Sequence, residues 1–150
     1  MNIVLHEPEI PQNTGNIART CLLTNSTLHL IHPLGFQTDD KTVKRAGLDY
    51  WHKVDVRYYD NFEHFLEVNN NPKIYMAETN TKNLYTEVSY EEDAFIMFGK
   101  ETKGIPQGIL DRYAETSIHI PMVPDARSLN LSNCVAIVLY EALRQNGFRM

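Results

Sequence analysis

The chain has 150 residues and a mass of 17.3 kDa, enough for one domain with a substantial core and too little for a multidomain machine. Hydrophobic residues make up 43% and charged residues 22%, a globular balance that excludes disordered and collagen-like chains, and no apolar run is long enough to span a bilayer. The 14 Lys and Arg against 19 Asp and Glu leave a formal net charge of −5, which argues against nucleic-acid binding by overall charge and leaves that task to local cations such as Lys41, Lys44 and Arg45.

Short apolar segments alternate with helical patterns along the chain. Strands are predicted at Ile3–Leu5, Leu28–Ile31, Val54–Tyr58, Ile74–Ala77, Phe95–Phe98 and Ile118–Ile120, six in all, each bounded by polar or turn residues. Helices are predicted from Thr14 to Leu23, with Ile17, Cys21 and Leu22 on one side, from Lys41 to Ala46, and from Asn61 to Val68. Runs such as Phe95-Ile96-Met97-Phe98 are apolar on both alternating faces. That pattern implies an α/β fold, a parallel sheet with helices on both faces. The last helix runs from about Asn133 to Gln145, with Ser132 or Asn130 available as its cap and Gly147 beyond its end. Val135, Ile137, Val138, Leu139, Tyr140, Ala142 and Leu143 wrap most of its surface, so it is either central in the core or half buried in a partner copy, and a homodimer is expected. No internal repeat or linker divides residues 1–150, which read as a single domain.

Cys21 and Cys134 are isolated thiols, neither in a CxxC pair, and the amino terminus shows no basic leader or cleavage pattern; both features suit a reducing cytoplasm. The six His are scattered without metal-ligand spacing, so no metal is expected. GxGxxG, GxSxG and HExxH are absent, and Gly99 to Gly104 has Walker-like spacing without the following Lys-Ser/Thr.

Three loops follow predicted strands: 7–16, 99–106 and 121–133. Strand ends of parallel sheets are where ligands bind, and Gly and Pro in each loop let the backbone approach a ligand closely. Asn13 reads first as an N-cap of the helix that begins near Thr14. Arg19, in the second turn, sits near the helix end that prefers anions, which points to a bound phosphate. Glu101 stands between two Lys and reads first as a surface ion pair. Ser128, Asn130, Ser132 and Asn133 supply more capping groups than one helix needs, and the surplus argues for a ligand.

The segments Pro-Gln-Asn-Thr-Gly-Asn-Ile-Ala-Arg (11–19), Phe-Gly-Lys-Glu-Thr-Lys-Gly-Ile-Pro (98–106) and Ile-Pro-Met-Val-Pro-Asp-Ala-Arg-Ser-Leu-Asn-Leu-Ser-Asn (120–133) resemble, in order, the three motifs of SPOUT-superfamily RNA 2′-O-ribose methyltransferases. The opening Asn-Ile-Val-Leu-His-Glu-Pro-Glu-Ile-Pro, the stretch Arg-Ala-Gly-Leu-Asp-Tyr (45–50) and the short chain narrow the likeness to the tRNA (cytidine/uridine-34) 2′-O-methyltransferase family. This resemblance, unlike periodicity, implies a sheet whose carboxyl-terminal part is tied into a deep trefoil knot, S-adenosylmethionine bound in the knot, and an active site completed across a homodimer. It implies cofactor contacts at Ala77, Glu78, Thr79, Gly99, Ile120, Met122, Ser128 and Leu129, and a polar catalytic set of Asn13, Arg19, Glu101, Ser128 and Asn130. In that set Arg19 would hold a phosphate and the developing alkoxide, Glu101 would orient Arg19, and Ser128 with Asn130 would orient the ribose. The implied partner is the anticodon arm of tRNA, met by local cations that include Arg127, with Tyr50 and Trp51 either stacking on a nucleotide or packing in the fold. The motifs leave open another tRNA or ribosomal RNA nucleotide, or a catalytically silent RNA-binding dimer.

Overall fold

The computed structural model describes residues 1–39, 41 and 49–150. The predicted helix Lys41–Ala46, apart from Lys41, and the cations Lys44 and Arg45 lie outside the described residues. Seven strands form one all-parallel sheet: β1 (Asn2–His6), β2 (Thr27–Ile31), β3 (Val56–Tyr59), β4 (Ile74–Ala77), β5 (Asn83–Leu84), β6 (Phe95–Phe98) and β7 (Ser117–His119), in the order β3-β2-β1-β6-β4-β7-β5. Helices α1 (Pro11–Leu23), α2 (Phe62–Val68), α3 (Gln107–Arg112) and α4 (Leu131–Gln145), numbered among the described residues, cover it.

Alternation along the strands builds two apolar layers, as the doubly apolar runs predict. On one face Ile3, Leu5, Leu28, Leu30, Ile96 and Phe98 meet Ile17, Ala18 and Cys21 of α1 and Val135, Val138, Leu139, Ala142 and Leu143 of α4. On the other, Val4, Ile31, Ile74, Met76 and Met97 meet Phe62, Phe65 and Leu66 of α2, with Ile105 and the flank of α3. His29, fully buried on β2, joins the second face through polar and ring contacts: its Nδ1 lies 2.8 Å from the Tyr59 hydroxyl and its Nε2 3.1 Å from Asn2 Oδ1. Burial, then the Arg57 charge, lowers the His29 pKa to about 4, so the ring is neutral at neutral pH.

All six predicted strands are present, with β3 and β7 displaced by one or two residues. β5 is a seventh. Its two residues, Asn83 and Leu84, pair only with β7 at the sheet edge and are too short to leave a period-two pattern. Helix α1 begins at Pro11 rather than Thr14, because proline at the first helical position gives up no hydrogen bond. Asn13 is therefore inside the first turn, buried, and Ile10 occupies the cap position without a side-chain bond; Arg19 is correspondingly in the third turn. Asn61 caps α2 through His64 N–H, and Asn130 caps α4, which begins at Leu131, two residues earlier than the predicted start. Tyr50 and Trp51 are packing residues. Both lie against the first apolar layer, and the Tyr50 hydroxyl donates to Gly15 O at 2.9 Å.

Candidate active site

In an all-parallel sheet the carboxyl ends of the strands lie along one edge, and four of the segments that leave this edge, after β1, β4, β6 and β7, wall a single cleft of about 680 Å³. The cleft gathers Asn13, Ala77, Glu78, Thr79, Gly99, Glu101, Ile120, Met122, Ser128, Leu129 and Asn130, which is every sequence-predicted site residue except one. Arg19 is the exception: it is exposed on α1 and does not line the cleft of its own chain.

A relay of amides and a carboxylate lines one side of the cleft. Glu101 Oε2 accepts from Glu9 N–H at 2.8 Å, and its Oε1 accepts from Ile10 N–H at 3.1 Å and from the side-chain amide of Asn13 at 3.3 Å. Asn13 Oδ1 accepts in turn from Asn130 Nδ2 at 3.0 Å, while Asn130 Oδ1 receives the N–H groups of Ser132 and Asn133 and the Ser132 hydroxyl. These partners fix which way each amide points, because an Asn offers one accepting and one donating end. Two expectations are corrected here. Glu101 is neither an idle surface ion pair nor in contact with Arg19 of its own chain, since Glu9, Ile10 and Asn13 at the approach to and first turn of α1 occupy its carboxylate; it is Lys100 that pairs, with Glu7 at 2.8 Å.

The loop carrying Glu101 is doubled back on itself. Lys100 and Gly104 form an antiparallel bridge, with Gly104 N–H donating to Lys100 O at 2.8 Å. A Cβ at Gly99 would stand 2.0 Å from the Gly104 carbonyl carbon, and Gly104 itself has φ +67°, so this reversal needs glycine at both positions. The front of the loop is held by Glu9, whose carboxylate accepts from the Thr102 N–H and hydroxyl.

Residues that sequence reasoning missed include Ile10, Cys134 and Val138, which also line the cleft. The signal for the last two was the four-residue spacing that puts them one above the other on α4, beneath Leu131. Burial disfavours the thiolate of both cysteines: it pushes the Cys21 thiol up to about 12 and also raises that of Cys134. Among the described residues no group of His, Cys, Asp and Glu could hold a metal ion.

The cleft fits S-adenosylmethionine. Its volume lies in the range of small-molecule sites, about 300–1,000 Å³. One wall is apolar, built by Ala77, Ile118, Ile120, Leu129 and Val138, and suits an adenine ring; Ser128, whose hydroxyl has no partner among the described residues, and the backbone after β6 and β7 supply the polar side.

The description SpoU rRNA Methylase family matches residues 1–140. The chain belongs to this family. Among SpoU-family relatives, it is 50% identical over 149 residues to the tRNA (cytidine(34)-2′-O)-methyltransferase of Escherichia coli K12, with 99% of this chain and 95% of the relative covered. A solved structure concerned with the 2-OH methylation of C/U34 on tRNA is 41% identical, covers 99% of this chain and 97% of its own, and superposes with a TM-score of 0.91. The SpoU methyltransferase AviRb of Streptomyces viridochromogenes, solved with AdoMet, shares the fold at 19% identity and a TM-score of 0.80, with 97% of this chain and 60% of its own covered.

Proposed function

We propose that this chain is a tRNA (cytidine/uridine-34) 2′-O-methyltransferase that moves a methyl group from S-adenosylmethionine to the ribose 2′-hydroxyl of the wobble nucleotide. The observation that carries the reading is the Glu101–Asn13–Asn130 relay lining the cofactor-sized cleft, in a chain half identical to the E. coli C34 enzyme over nearly its whole length.

When bound, the cofactor supplies an electrophilic methyl on a positively charged sulfur. The chain must then bring the 2′-hydroxyl in line with the departing sulfur and stabilise it as its proton leaves. Ser128 and Asn130, exposed at the mouth, orient the ribose; Asn13 and Glu101 hold Asn130 and the loop around it in register. Arg19 carries the phosphate beside the target and offsets the growing negative charge. A guanidinium has no acceptor site, so the hydroxyl proton passes to solvent water at the open mouth of the cleft rather than to Arg19.

Because Arg19 lies outside the cleft of its own chain, the site is completed by a second copy. The surface that supports a homodimer is the exposed side of α1 and α4, where Leu23, Ile137 and Tyr140 remain 68%, 37% and 46% exposed beside Arg19 and Asn16. The strand order supports the knot: β6 inserts between β1 and β4, β7 inserts between β4 and β5, and the chain then returns to lay α4 against α1. Arg127 and Lys103 at the cleft rim meet the anticodon arm despite the acidic net charge, and the two free cysteines suit a reducing cytoplasm. Mass spectrometry of tRNA nucleosides and anticodon fragments, after incubation with protein and S-adenosylmethionine, tests the reading: one methyl gained at the wobble ribose supports it, and a gain at another nucleotide or none overturns it.

A further inference from the structure

Glu78 follows β4 in the wall between the cleft and a second recess of about 460 Å³, and it lines both. Its carboxylate is spent on the backbone. One oxygen accepts from Ile105 N–H at 2.8 Å; the other accepts from Thr79 N–H at 2.8 Å and the Thr79 hydroxyl at 3.3 Å. Ile105 is only 4% exposed, so its N–H has no water to turn to if the carboxylate is lost. The approach depends on the neighbouring residue, because a Cβ at Gly104 would lie 2.0 Å from the same oxygen. The 99–105 loop is therefore pinned twice, in front by Glu101 on the segment that leads into α1 and behind by Glu78, and Gly99, which lines the cleft, lies against the rear pin through the Gly104 reversal.

We propose that Glu78 is a positioning residue for cofactor binding: it latches the Ile105 N–H and so sets where the 99–105 loop stands as a wall of the methyl-donor pocket. The inference rests on the methyltransferase reading of the cleft. Since the front of the loop keeps its own anchors, loss of the latch acts on cofactor affinity rather than on the reacting geometry. The KM for the methyl donor rises, while kcat at saturating donor stays close to that of the parent.

The test compares the full chain with Glu78→Gln, which keeps one acceptor and turns an amide toward an N–H donor, and Glu78→Ala, which keeps none. Amide hydrogen exchange is measured without cofactor, S-adenosylhomocysteine binding by calorimetry, and kinetics with tRNA. Expected are Ile105 exchange faster by about tenfold in Glu78→Ala and by less in Glu78→Gln, unchanged exchange at Val4 and Leu30, and affinity lowered in the same order by up to about tenfold. Unaltered Ile105 exchange overturns the latch. Faster exchange with unaltered affinity, or a collapse of kcat at constant KM, overturns the positioning role. Parent protein that binds no S-adenosylhomocysteine overturns the cofactor reading itself, whereas parent and variants that bind it equally overturn only the role of Glu78.

Discussion

Asn130 Nδ2 donates to Asn13 Oδ1 across 3.0 Å, joining residues 117 positions apart, and the other end of each side chain is also engaged. Asn130 caps α4 with its oxygen while Asn13 donates to Glu101, so the pair ties the start of the last helix to the start of the first. Replacing Asn13 by Ala strands the Asn130 amide and one Glu101 contact in a part-buried setting. Stability is expected to fall by about 1–2 kcal/mol, seen as a lowered urea midpoint at constant m-value, with methyl transfer reduced as well. A midpoint equal to that of the parent would show that the relay contributes nothing to folding.

Arg19 presents the opposite case. It is exposed with no hydrogen bond or ion pair among the described residues, so Arg19→Ala should leave thermal stability within about 0.5 kcal/mol of the parent while abolishing wobble-ribose methylation. Arg19→Lys separates charge from shape. Near-full activity in that variant, measured by nucleoside mass spectrometry, would rule out a bidentate contact to phosphate.

The exposed apolar side of α1 and α4 offers a test of assembly that leaves the cleft intact. Tyr140→Glu puts a charge on a residue that is 46% exposed and away from the core, so the monomer fold should persist. Sedimentation is expected to show a dimer for the parent and a monomer for the variant, with cofactor affinity retained and methyl transfer lost.

Two glycines make contrasting demands. Gly104→Ala combines a left-handed backbone with a collision against Glu78 and should cost more than about 2 kcal/mol. Gly108, within α3, has open space where a Cβ would stand, and Gly108→Ala should stabilise by about 0.5–1 kcal/mol. Chemical denaturation of the two variants side by side reads both signs.

Stability should also depend on His29. The folded chain keeps this ring neutral down to about pH 4, whereas the unfolded chain takes up a proton below its ordinary value of 6.5. The unfolded state thus binds more protons in this window, so the contribution is complete above about pH 6.5 and is lost as pH falls toward 4, by about 3 kcal/mol in total. Urea titrations at a series of pH values should show this slope in the parent and a flatter one in His29→Gln.

Much of this was legible in the sequence because parallel strands covered on both sides leave unmistakable apolar runs; Phe95–Phe98 is found where its pattern places it. β5 was not, since two residues carry no period. The site was legible through motifs rather than pattern. Asn13 looked like a cap because the first helical turn was hidden behind Pro11, and the partners of Glu101 and Glu78 are backbone N–H groups that no side-chain pattern announces. Arg19 could be named from the motif, but its place outside the cleft follows only from the direction in which α1 turns its third turn.

The relay also has a kinetic meaning. Residue 13 meets residue 101, 88 positions away, and then residue 130, so this side of the cleft is built from contacts of high sequence separation. The cleft lining runs from Ile10 to Val138, so the pocket is complete only once α4 has docked on α1. Affinity for the donor thereby becomes a reporter of completed folding, and a refolding chain should regain it in the slowest phase.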